Sequence, residues 1–183
     1  MNTLSPNRFA ILCITALVSL GCTQENPPTR GGPLKGPITV KLENVGSFAE
    51  GESWSLELDA DRIVHLNIGG YPSDNSRVFQ ITRGQVEELR DLLIEQDFFA
   101  LDDEYGELVS SGSEQTMTVT CGEQSHTVKL HFLMNWARFE PDRLRDPARA
   151  VRVWRLIRDW FDDEEAADLR RYDDMVLNAA PAW

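Results

Sequence analysis

The chain has 183 residues, with 30 Asp and Glu against 18 Lys and Arg, for a formal charge of −12. Such a surface repels nucleic acid and anionic lipid in bulk, so no nucleic-acid partner is expected. The length suits one ordinary hydrophobic core without staples, and three cysteines form no CxxC or Cys/His metal spacing.

The first predicted element is a leader over residues 1–21. Arg8 is its one charge, and the apolar run Phe9 to Leu20 follows. That run has the length of a signal-peptide core and is too short to cross a bilayer as a helix. Ser19 and Gly21 are small, and Cys22 comes next. Val18-Ser19-Leu20-Gly21-Cys22 resembles the bacterial lipoprotein signal, although Leu stands one place later than the usual pattern has it. The resemblance implies cleavage before Cys22 and a diacylglyceryl thioether on its sulfur, with palmitate among its acyl chains. Ser19 and Gly21 also satisfy an ordinary secretory cleavage site, and that alternative stays open. Thr23 stands where an aspartate would retain the protein at the inner membrane of some enteric bacteria, which points to the outer membrane, facing the periplasm. With Cys13 in the leader and Cys22 acylated, Cys121 is left as a small buried side chain.

Residues 22–37 read as the lipidated cysteine and a Pro/Gly-rich tether, TQENPPTRGGPLKGP after Cys22. Fully extended at about 3.1 Å per residue it spans roughly 45 Å. A body over residues 38–172 follows, ending after Glu165 in a polar helical stretch to about Arg171, and residues 173–183 read as a loose tail.

Within the body, Ile38 to Leu42 alternates as a strand. Phe48 to Ser53 reads as a loop. Trp54, Leu56 and Leu58 form the next inward row, Asp59-Ala60-Asp61 a turn, and Val64, Leu66 and Ile68 a third row with His65 and Asn67 facing out. Arg77 to Ile81 is a short fourth strand. Thr82 and Gln85 then form a T-x-x-Q capping box, with Ile81 and Val86 as a hydrophobic staple. Val86, Leu89, Leu92 and Leu93 line one face of a helix that ends near Gln96. Phe98, Phe99 and Leu101 should plug the core. Asp102 to Ser113 reads as a loop. Thr116 to Leu130 is a hairpin on a Gly122-Glu123 type II′ turn, which sets Cys121 opposite Gln124 and Val119 opposite His126. That register puts Met117, Val119, Cys121, Val128 and Leu130 on one face and the threonines on the other. Leu133 to Arg145 reads as irregular, with Trp136 and Phe139 in a loop. Asp146-Pro147 opens a second main helix, capped by the aspartate, whose apolar face carries Ala150, Trp154, Ile157 and Phe161. The expected fold class is α+β: a single domain, a mainly antiparallel sheet with one face covered by two main helices.

No GxSxG, HExxH, P-loop or GxGxxG is present, and no catalytic, cofactor or metal residue is assigned. His126 and His131 lie five apart on one strand and so face opposite ways. Asp59 and Asp61 lack the remaining oxygens of a calcium loop and suit a turn. Asp102-Asp103-Glu104 and Asp162 to Glu165 suit a solvated acidic surface. The exception to the acidic background is Arg145, Arg149, Arg152 and Arg155, at helical spacing and followed by Arg158. They are either a solvated face whose stems cover apolar surface or a contact for phosphate, lipid headgroups or an acidic partner.

Thr82-x-x-Gln85, Leu89 to Leu93, Asp97-Phe98-Phe99-x-Leu101, Tyr105 and Thr116 to Thr120 make the stretch from about Ile38 to Phe161 similar to an uncharacterised domain family of bacterial lipoproteins. These are packing and capping residues. The resemblance implies a fold and assigns no activity.

The reading is therefore a lipid-anchored cell-envelope protein that binds or scaffolds, attached to the membrane through Cys22 and facing an envelope protein partner. An envelope hydrolase with an unrecognised carboxylate or histidine site is one alternative. A periplasmic inhibitor using the polar sheet face is another.

Overall fold

The computed structural model describes residues 34–45, 53–69, 75–109, 114–161 and 166–181. The leader, Cys22 and most of the tether lie outside them. So does the Asp162 to Glu165 run.

Among the described residues, seven strands form one open sheet: β1 (Ile38–Val45), β2 (Ser53–Leu58), β3 (Ile63–Gly69), β4 (Asn75–Gln80), β5 (Glu104–Tyr105), β6 (Glu114–Cys121) and β7 (Gln124–Leu130). Their order is β4-β3-β2-β1-β6-β7-β5. Every pairing is antiparallel except the two-residue β5 against β7. The α+β class is thus the observed one. The hairpin register is the expected one: Cys121 opposes Gln124, Val119 opposes His126 and Met117 opposes Val128. Gly122 has φ +61°, while Glu123 keeps a negative φ, which selects type II′ over type I′.

The helices are α1 (Arg83–Glu95), α2 (Met134–Phe139), α3 (Arg145–Arg158) and α4 (Ala166–Ala179). The predicted capping box is present. Thr82 Oγ1 accepts from Gln85 N at 3.2 Å and Thr82 N donates to Gln85 Oε1 at 2.9 Å. α1 ends at Gln96, and Asp97 turns left-handed at φ 45° to send Phe98 inward. Val40, Leu42, Leu56, Leu58, Val64, Leu66, Met117, Val119 and Val128 are buried against Leu89 and Leu93 of α1 and Trp154 and Ile157 of α3. The Trp54 ring lies 5.2 Å from that of Trp154 and 5.8 Å from that of Phe161. No described element covers the opposite sheet face, where Lys41, Glu57, His65, Asn67, Ser125 and Lys129 are exposed.

Four expectations are corrected. Leu133 to Arg145 is not a loop: α2 forms there, and a 3₁₀ turn over Pro141–Leu144 follows. Trp136 is buried because its indole N–H donates to Glu107 at 3.2 Å, tying the short helix to the sheet edge. Asp146 does not cap α3. The helix begins at Arg145, continuous with the 3₁₀ turn, and Pro147 still falls in the first turn, where its missing N–H costs nothing. Asp102 to Ser113 contributes β5 and the Glu107–Phe132 bridge. Finally, residues 173–181 are not a loose tail. α4 runs to Ala179, with Asp173 and Val176 fully buried against α3 and α2.

Candidate functional site

The open sheet face is a lattice of largely polar rows. His65, Glu57, Lys41, Thr118 and Thr127 stand side by side across five strands, and the apolar Val78 ends the row on β4. Thr118 and Thr127 hydroxyls bond at 2.9 Å, and Thr120 and Ser125 at 3.0 Å. These cross-strand bonds fix a rigid, hydroxyl-rich surface.

This face leads to a shallow groove of about 470 Å³ along β7, lined by Asp103, Glu104, Ser125, His126, Thr127 and Lys129. Asp103 enters it because its carbonyl accepts from Lys129 N at 2.8 Å, which sets β5 alongside β7. The Tyr105 hydroxyl oxygen accepts from Asp102 N at 2.8 Å, and burial pushes that phenol up to about 12. His126 lies on the helix-covered side, its ring 5.6 Å from that of Phe98 and its Nδ1 3.7 Å from Asp103 Oδ1. Ser125 is its neighbour in the strand and faces the other way, so the two cannot act as nucleophile and base.

His131 lies beyond the end of β7 and is 5% exposed. Its Nε2 is 3.0 Å from Glu104 Oε1 and its Nδ1 3.8 Å from Glu114 Oε2. The two carboxylates approach opposite ring nitrogens, so the three groups do not face a common ion. Among the described residues no group of His, Cys, Asp and Glu converges as a metal-binding set. Asp59 has the turn role: its carboxylate accepts from Asp61 N at 2.9 Å and Ile63 N at 2.8 Å.

The arginine series is divided among internal partners. Arg149 donates to Gln96 O at 2.6 Å, Asp97 O at 3.1 Å and Asp146 Oδ1 at 3.2 Å. Arg152 donates to Gln96 Oε1 at 3.3 Å. Together they cover the C-terminus of α1, where a cation also meets the helix dipole. Arg155 instead reaches α4, at 2.7 Å from Asp174 Oδ1. Arg145 is exposed at the start of α3. The four therefore do not converge on one site for an anion.

Two features depart from the sequence expectations, which put Arg158 at the end of a solvated arginine face, Asp173 in a loose tail and Leu34 to Pro37 in a tether. Arg158 and Asp173 form a fully buried pair between α3 and α4, joined through Nη1 and Oδ2. Both sit on apolar helical stripes, Arg158 four residues after Trp154 and Asp173 three before Val176, and that misplacement was the available signal. The other feature is a clamp on the end of the tether. Arg90 Nη1 donates to Leu34 O at 2.7 Å and Nη2 to Gly36 O at 3.0 Å, while Gly122 N donates to Pro37 O at 3.2 Å. The strap crosses the hairpin so closely that a Cβ on Gly122 would stand 2.4 Å from Lys35 O.

No family model matches the chain, and no curated protein does. No described helix is long and apolar enough to cross a membrane.

Proposed function

We propose that this chain is a lipid-anchored cell-envelope protein, acylated at Cys22 and held on the periplasmic side of the outer membrane, whose body binds a protein partner. The binding half of this reading rests on one observation, the broad hydroxyl-rich sheet face that no described element covers. The anchoring half rests on the leader and on Cys22. The hydrolase alternative draws on the groove that gathers His126 with Asp103 and Glu104. It is weaker, because the His126 ring is turned into the Phe98 packing and His131 is closed between glutamates.

Labelled palmitate should enter the wild-type chain and be absent from Cys22→Ser. Unlabelled protein found free in the periplasm overturns the anchor. Hydrolysis of an envelope substrate by the purified chain, lost on His126→Ala, overturns the binding reading in favour of the hydrolase.

A further inference from the structure

The sheet ends in β4, and nothing among the described residues pairs with its outer side. Ile81 N donates to Arg62 O at 3.0 Å, which fixes the phase of the β3–β4 ladder. Alternation along that ladder turns the backbone groups of Phe79 and Arg77 toward β3. The N–H and C=O of Ser76, Val78 and Gln80 therefore point outward. Native edges are usually blunted by charge, proline or brevity. This one has six residues, NSRVFQ, with Arg77 as its sole charge and Val78 64% exposed.

We infer that β4 is a self-association edge, which pairs antiparallel with β4 of a second copy across a two-fold axis at Val78. In that register Val78 opposes its own equivalent, and Ser76 opposes the second copy's Gln80. All three are hydrogen-bonding pairs using the outward groups. Arg77 opposes the second copy's Phe79, which is partly buried against the core, so no like charges meet across the axis. A second copy is the occupant for two reasons. The edge is complementary to itself, as an isologous contact requires. It is also the place where two acidic chains can approach, since neither β3 nor β4 contains an acidic residue in a chain of charge −12. A two-fold normal to the sheet keeps the same sheet face of both copies on one side. Tethers of roughly 34 Å, for the eleven residues Thr23 to Pro33 at about 3.1 Å each, then let both copies share one bilayer.

The full chain, purified in detergent and followed by density-matched sedimentation over a dilution series, should form a dimer that dissociates on dilution. Added salt should strengthen it by screening the repulsion between the acidic bodies. Val78→Lys places two ammonium groups across the axis and should weaken association roughly tenfold or more. Val45→Lys, at a similarly exposed valine of β1, should leave it unchanged. Under mild oxidant Val78→Cys should cross-link to its equivalent, and Ser76→Cys should not. A monomer at every concentration overturns the inference, as does a dimer that Val78→Lys leaves intact. Cross-linking through Ser76→Cys but not Val78→Cys overturns the register. Thermal melts of each variant separate lost pairing from lost folding.

Discussion

Among single residues, Asp173 and Arg158 carry the largest electrostatic stakes. Both are fully buried, yet Asp173 Oδ1 and Arg158 Nε and Nη2 make no hydrogen bond. The desolvation of two charges is thus only partly offset by their contact. Burial pushes the Asp173 carboxyl from 3.8 up to about 6, against the pull of Arg158 and Arg155. The folded chain then holds this proton more tightly than the unfolded one. The carboxyl's contribution to stability is fully present below about pH 4 and is lost as pH rises through about 6. Carbon NMR of the Asp173 carboxyl should report a midpoint near 6. Asp173→Asn should flatten the stability profile over that window. At neutral pH Asp173→Ala should cost about 3–5 kcal/mol by urea unfolding, because it strands a buried guanidinium. Replacing both, as Arg158→Met with Asp173→Leu, should melt no lower than wild type. A large loss in the double variant would mean the pair is favourable in itself.

At the scale of elements, what the sequence discloses is local periodicity and local capping. The T-x-x-Q box, the period-two rows of β2 and β3 and the Gly122 turn each fit within a few residues, and each is where it was expected. What it hides depends on distant partners. α2 is too short to declare itself by period, and it exists because Glu107, on a remote segment, takes Trp136 Nε1 and Asn135 Nδ2. α4 is legible only to about Arg171, and its continuation to Ala179 is obscured because its buried face carries Asp173, whose partner lies fifteen residues earlier. The candidate groove was illegible for the same reason. Asp103 and His126 meet only because β5 lies beside β7, and nothing in a two-residue strand announces that. The hairpin gives an element-scale test. Gly122→Ala keeps the polar pattern of β6 and β7 but forces φ +61° on a side chain and drives its Cβ into Lys35 O. It should lose more than about 1 kcal/mol in urea unfolding. Glu123→Ala, at the other central position and with ordinary φ, should lose little.

For the molecule as a whole, the clamp decides where the proposed anchor would leave the body. Leu34 to Pro37 belongs by composition to the tether, yet Arg90 and Gly122 fasten it to the end of the sheet that carries the hairpin turn. Lipid attachment would thus act through one fixed end of the sheet. Releasing the strap returns four residues to the tether and adds about 12 Å of reach. The Arg90 side chain is 18% exposed, so its two bonds to carbonyl oxygens are partly shielded from water. Arg90→Ala should therefore cost about 2 kcal/mol in urea unfolding, within the range for hydrogen bonds to a charged group. Arg90→Lys should recover little, since a single ammonium cannot span both carbonyls as the guanidinium fork does. The strap itself gives the more direct readout. Trypsin should cut slowly after Lys35 in the wild-type chain, whose backbone is held between Arg90 and Gly122, and much faster in Arg90→Ala. Equal rates would mean that the strap opens freely in solution, and the anchor would then leave the body from the start of β1.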